Sequence, residues 1–186
     1  MSNNLLIVLS GPSGVGKGTV VSRLLQKGNY ALSVSCTTRA RREGEVDGKS
    51  YFFITKEEFL RTIEEGGFLE YSNHFENYYG TPKKFVEKKL QNYDVILEIE
   101  VDGALQVKKS HPEAILIMLV PPSVEELKRR LLGRGTESEE KINARIARME
   151  YELSQKDKYD YTLVNDDLDE CVARLEDIIK RKKLTH

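Results

Sequence analysis

Tryptophan is absent from this sequence, and cysteine, histidine, methionine and proline are all scarce. Cys36 and Cys171 lie far apart, and neither they nor His74, His111 and His186 fall at metal-ligand spacing, so a zinc centre of the usual kinds is excluded. Both cysteines are expected to be free thiols in a reducing compartment. Also missing is any apolar run near the ~20 residues that span a bilayer. The N-terminus shows neither the basic flank nor the cleavage site of a signal peptide, so the expectation is a cytoplasmic protein without a membrane. An excess of charge is lacking too: 29 Lys and Arg against 30 Asp and Glu leave a formal charge of −1. That balance speaks against a nucleic-acid binder, whose domains are clearly basic. Oligomeric state is left open by the sequence.

What is present fits one soluble domain of 186 residues, enough to bury a substantial core. Apolar runs at 5–9, 94–100 and 114–120 predict strands buried on both faces, and 161–165 reads as a further strand before the last helix. Helical patterns follow them, the last over 167–183. Strands alternating with helices predict an α/β three-layer fold around a parallel core sheet. Capping boxes at Thr55/Glu58, Ser123/Glu126 and Thr136/Glu139 mark helix starts. The stretch 36–80, rich in Arg, Gly, Tyr and Glu, reads as an inserted β-rich lobe with too few apolar residues for a core of its own. No repeat, low-complexity segment or linker interrupts the chain.

The first strand runs into Gly11-Pro12-Ser13-Gly14-Val15-Gly16-Lys17, a Walker A phosphate loop in its required strand–turn–helix context. Such a loop points successive backbone N–H groups and the positive end of a helix at phosphate, and Lys17 adds a point charge. Gly18 stands where Ser or Thr normally ligates Mg²⁺, and the hydroxyl comes one residue late, at Thr19. Neither an Asn-Lys-x-Asp nor an Asp-x-x-Gly motif accompanies the loop, which argues against a signalling GTPase. The loop resembles instead the Gly-Lys-Gly-Thr loops of nucleoside monophosphate kinases, where phosphates and water hold most of the metal. Such a kinase must neutralise two phosphate chains, and two arginine groups stand ready. Arg39, Arg41 and Arg42 occupy a turn-rich segment; Arg130, Arg134 and Arg145 flank Gly133 and Gly135, a predicted hinge.

With "GPSGVGKGT", "SCTTRARREGEVDGKSYFF", "FLEYSNHFENYYGTP", "LEIEVDG" and "GRGTESEEKINARI" in this order, the chain resembles the guanylate kinase family from about residue 4 to 183. The resemblance implies a P-loop NTP hydrolase-type fold with core 1–35, 81–130 and 160–186, a GMP-binding lobe 36–80 and a helical lid 131–159. It implies transfer of a phosphoryl group from ATP to GMP, and to dGMP, with Mg²⁺ as cofactor and no metal ligand certain among the side chains. Gly11, Pro12, Ser13, Gly14, Val15, Gly16, Lys17, Gly18 and Thr19 would bind ATP, with Arg130, Arg134 and Asn165. Arg39, Arg42, Tyr51 and Tyr79 would hold the acceptor phosphate, while Ser35, Glu70, Thr81 and Glu100 would read the base. Lys17, Arg39, Arg134 and Arg145 would be the catalytic set. The pattern departs from the family at Asp102, where Gln is common. Two other readings stay open: a catalytically silent binding module of the same fold, and a kinase for a different nucleoside monophosphate.

Overall fold

The computed structural model describes residues 4–74, 76–132 and 138–185. Its centre is a five-stranded parallel sheet built from β1 (Leu6–Ser10), β2 (Tyr30–Leu32), β7 (Asp94–Glu98), β8 (Ile115–Val120) and β9 (Tyr161–Val164), in the order β2–β7–β1–β8–β9. Ile7 pairs with Ile96 on one side and Ile115 on the other, so β1 is central and fully buried. That explains its continuous apolar run: both faces of the strand meet protein. Leu5, Ile7 and Leu9 pack with α1 (Lys17–Leu25) and α7 (Leu168–Thr185) through Val20, Leu24, Val172 and Leu175. Leu6 and Val8 face the opposite layer, where α3 (Lys83–Leu90) and α4 (Val101–Ser110) contribute Val86, Val101, Ala104 and Val107. The period-2 alternation along β1 thus sorts its side chains into two helical layers.

Strand order reverses about β1, since β7 lies to one side of it and β8 to the other. Ligands in open α/β sheets bind at the carboxyl ends of strands beside such a reversal. Here those ends deliver the phosphate loop after β1 and Glu98–Glu100 after β7.

A second sheet, β4–β3–β6–β5, forms the predicted lobe from β3 (Cys36–Thr37), β4 (Phe52–Phe53), β5 (Phe68–His74) and β6 (Asn77–Pro82), with α2 (Lys56–Glu64) against it. Thr55 caps α2 in a full capping box with Glu58, as its sequence predicts. Contrary to the expectation from composition, the lobe has a small core of its own. Phe59 is fully buried, stacks on Phe68 at 4.4 Å and lies 5.2 Å from Tyr78, with Cys36, Phe52, Ile54 and Ile63 around them. A few aromatics suffice because each buries so much area.

Two helices complete the fold, α5 (Val124–Leu132) and α6 (Glu139–Ser154), joined through Leu127 and Met149. Ser123 accepts from the Glu126 N–H at 3.0 Å, as the second capping box predicts. For α6 the cap differs from the prediction: Ser138 accepts from the Lys141 N–H and the helix begins at Glu139. A serine hydroxyl is among the strongest N-cap acceptors, which suits Ser138 to this helix end. Gly133, Arg134, Gly135 and Thr136 lie outside the described residues, as does His186.

Candidate active site

The phosphate loop owes its shape to glycines at positive φ. Gly14 and Gly16 have φ of 82° and 99°, a region that side chains rarely tolerate. Gly16 is also crowded: a β-carbon there would lie 2.5 Å from the Asn165 amide nitrogen. That amide donates to the Val15 carbonyl at 2.8 Å, so Asn165, after β9, braces the loop directly. Helix α1 starts at Lys17 with no side-chain cap and no acidic residue in its first turn. Its first N–H groups and its dipole are therefore left to an anion.

Lys17 folds back over the loop and donates to the carbonyls of Gly11 and Pro12. Burial lowers its pKa below the ordinary lysine value, and Glu152, Glu98 and Glu100 oppose that shift. Gly11, Ser13, Lys17 and Glu98 line a cleft of about 370 Å³ together with Arg145, Arg148 and Glu152 of α6. Glu98 is open to this cleft, yet desolvation by the surrounding protein raises its pKa, with Lys17 pulling the other way. The bare Gly18 faces this carboxylate, because a β-carbon at Gly18 would come within 3.8 Å of Glu98 Oε1. Arg130 is not brought to the cleft; it pairs with Glu126 one turn back on α5. Arg134 lies outside the described residues.

A second cavity, about 320 Å³, adjoins the first and shares Glu98, Ile99 and Glu100 with it. Ser35, Tyr51, Glu70, Tyr79 and Glu100, widely scattered in sequence, all line it. Glu70 on β5 is 7% exposed, and its Oε1 accepts from the fully buried Thr81 hydroxyl at 2.6 Å. Burial raises the Glu70 pKa above the ordinary carboxylate range, and the Thr81 hydrogen bond partly offsets this. Its other oxygen rests over Gly103 in the first turn of α4, where a β-carbon would sit 2.5 Å from Oε2. The glycine makes room for the carboxylate. Sequence reasoning missed this contact, and it assigned no role to Glu98, Arg148 or Glu152, which line the cleft. The repeated acidic spacing in "LEIE" was the available signal for Glu98.

Beside the cavity, Tyr51 and Tyr79 meet edge-on at 6.1 Å, and the Arg39 guanidinium lies 5.5 Å from the Tyr51 ring centre. Arg39 forks onto Glu45 at 2.7 and 3.1 Å, which raises the arginine pKa and, with the Arg42 N–H, drives the Glu45 carboxyl down to about 2. The loop thus holds Arg39 rigid beside two tyrosines, while the Arg42 side chain is exposed at its rim.

The guanylate kinase family model matches residues 3–182. The chain belongs to the guanylate kinase family. A guanylate kinase of Clostridium tetani is 50% identical over 184 residues, covering 98% of this chain and 88% of that protein. One from Streptococcus thermophilus is 52% identical over 179 residues, or 95% and 86% of the two chains. Among solved structures, guanylate kinase from Anaplasma phagocytophilum superposes with a TM-score of 0.77 at 34% identity, covering 98% of this chain and 88% of that one. As a member of the guanylate kinases the chain is a phosphotransferase of P-loop fold, with two adjoining cavities, one at the phosphate loop and one walled by a buried glutamate. None of the helices described is long and apolar enough to cross a membrane.

Proposed function

We propose that the chain catalyses ATP + GMP → ADP + GDP, with ATP phosphates at the loop cavity and GMP in the cavity walled by Glu70. The observation that carries this reading is Glu70 itself: a buried carboxylate, fixed by Thr81 and aimed into a cavity that adjoins a phosphate loop. Guanine presents N1–H and the N2 amine side by side, which one carboxylate can accept as a pair. Adenine offers a lone pair at N1 and would leave Glu70 unsatisfied. Sites built on such hydrogen bonds discriminate by roughly 10⁴–10⁵.

In this reading residues 36–80 act as the acceptor lobe and 131–159 as the lid. Arg39, Arg42, Tyr51 and Tyr79 orient the acceptor phosphate, while Ser35, Thr81 and Glu100 complete base recognition. The backbone N–H groups of 11–19, Lys17 and the lid arginines Arg134 and Arg145 hold the donor and the charge that spreads over the transferring group. Aligning acceptor oxygen and phosphorus supplies most of the acceleration, and lid closure keeps water from taking the phosphoryl group. Among the described residues no group of three or more His, Cys, Asp or Glu forms a metal cage. The glycine after Lys17, which offers no hydroxyl ligand, fits a Mg²⁺ held chiefly by phosphates and water, with Glu98 as the hard oxygen nearest that glycine. When bound, the ion supplies charge neutralisation between the donor phosphates. The enzyme acts in the cytoplasm, on GMP and dGMP alike.

A coupled assay with GMP, dGMP, AMP and UMP as acceptors tests the proposal. Turnover confined to GMP and dGMP supports it, whereas equal turnover of AMP overturns the base assignment, and no turnover of any acceptor favours a binding module.

A further inference from the structure

Glu100 sits where three parts of the molecule meet. It stands at the N-cap position of α4, with its side chain not bonded to the helix end, and its Oε2 is reached at 3.0 Å by His74 Nε2 from β5. The same oxygen accepts from Arg148 of α6 at 3.2 Å. The Arg148 fork also takes Asp102 Oδ2 at 3.2 and 3.3 Å and Glu152 Oε1 at 3.1 Å. Tyr151 completes the set by donating its hydroxyl to Asp102 Oδ1 at 2.7 Å. One guanidinium therefore serves three carboxylates. Desolvation pulls the Arg148 pKa down, but Glu100, Glu152 and Asp102 outweigh it and raise the value.

Two of those carboxylates, Glu100 and Asp102, line the same cavity as Glu70. Both partners of Glu100, His74 and Arg148, take Oε2, which leaves Oε1 for a ligand. Without Arg148, Glu100, Asp102 and Glu152 would lose the one guanidinium they share, leaving Lys17 to oppose the repulsion of Glu100 and Glu152, and the half-exposed Glu100 would turn toward water. We propose that Arg148, which lines the donor cleft and not the acceptor cavity, is a positioning residue for acceptor-base recognition, holding Glu100 and Asp102 at the acceptor cavity's edge. The consequence is a mechanical link. Arg145, Arg148 and Tyr151 recur every three residues along one stripe of α6. The helix that brings Arg145 to the donor cleft thus also sets the carboxylates that face the acceptor. Asp102 is the partner that ties Arg148 to the first turn of α4. The inference rests on the assignment of Glu100 to the base.

Steady-state kinetics on Arg148→Met, Arg148→Lys, Glu100→Gln and the double variant Arg148→Met/Glu100→Gln test it, with thermal melting alongside. Arg148→Met should raise the GMP KM about tenfold, with a smaller change in ATP KM, as expected when ground-state binding of one substrate is lost. Lysine reaches one carboxylate but cannot fork, so Arg148→Lys should fall between wild type and Arg148→Met. It also keeps a cation beside the nearly buried Glu152, so it carries the test if Arg148→Met fails to fold. In the Glu100→Gln background, Arg148→Met should add less than about twofold, because a residue acting through another is silent once that other is gone. Additive effects, an equal rise in both KM values, or a lower melting temperature with normal GMP KM would each overturn the proposal. If Glu100→Gln leaves the GMP KM unchanged, the base assignment of Glu100 fails and takes this inference with it. If Glu100→Gln raises that KM while both Arg148 variants leave it normal, the assignment stands and this inference alone fails.

Discussion

Gly103→Ala places a single methyl group at the tightest point of the acceptor cavity. Its β-carbon would lie 2.5 Å from Glu70 Oε2 and 3.1 Å from its carboxyl carbon, where ordinary contact begins near 3.4 Å. The carboxylate must yield by about 1 Å, because a non-bonded C···O contact cannot be compressed that far. It has little freedom to do so, being 7% exposed and held by Thr81 at 2.6 Å. Overpacking of this kind costs about 1–3 kcal/mol. Alanine in place of glycine returns about 1 kcal/mol of helix propensity in α4. Net stability should therefore drop by no more than ~2 kcal/mol, and the variant should fold. Binding suffers more, since the displaced carboxylate no longer aligns with guanine, and charge-assisted hydrogen bonds contribute ~1.5–3 kcal/mol. The kcat/KM for GMP should fall by roughly 10- to 150-fold, at 1.4 kcal/mol per decade. The ATP KM, set in the neighbouring cavity, should move little. Steady-state assays varying each substrate, with thermal melting as control, decide the matter. A GMP kcat/KM within about threefold of wild type, in a protein with a lowered melting temperature, would refute the placement of guanine against Glu70.

Lys17→Ala should abolish most phosphotransfer while GMP titrates nearly as before, because the lysine lies on the loop side; normal turnover would remove the loop from the mechanism. Arg39→Ala should weaken GMP capture by about 1.5–3 kcal/mol and lower turnover with it. Guanosine, lacking the phosphate, should be indifferent to that change, and an equal loss for guanosine would contradict the phosphate-anchor role. The raised Glu70 pKa predicts that the GMP KM climbs on acidification while exposed carboxylates are still ionised. For folding the sign is opposite. The burial penalty is absent below the ordinary carboxylate pKa and sets in as pH rises through the folded value, so Glu70→Gln should raise the melting temperature of the free protein more at pH 7 than near pH 4. An identical change at both pH values would mean that Glu70 titrates normally.

The parts of this molecule legible in sequence are those whose cause is local. Leu5–Leu9, the "DVILEIE" run and the phosphate loop declare themselves by unbroken apolarity or by glycine spacing, and the structure places each where that pattern requires. β2 escapes the same reading because its three residues are only half-buried and form no run. The lobe core escapes because three aromatic rings from separate elements do the packing. The Ser35, Glu70, Tyr79 and Glu100 grouping came through resemblance alone, since it joins β5, β6 and the β7 terminus across long stretches of chain. Contacts such as Asn165 to Val15, Gly103 to Glu70 and Arg148 to Asp102 leave no local trace at all. A glycine in a helix and an arginine on a charged helix face look ordinary until the sheet brings their partners alongside.

The central claim is that one buried carboxylate reads guanine, and the acceptor preference of Glu70→Gln tests it most directly. The substitution keeps size and shape but replaces an acceptor oxygen with a donor nitrogen. Facing guanine, the amide must oppose one ring or amine hydrogen, which should cost about 2–4 kcal/mol in GMP binding. Facing adenine it can donate to the unprotonated N1, so AMP should lose nothing. Measured as kcat/KM for both acceptors, the GMP-over-AMP ratio should narrow by at least about 30-fold. An unchanged ratio in a folded enzyme would contradict the account and move specificity to Glu100, Ser35 and Thr81.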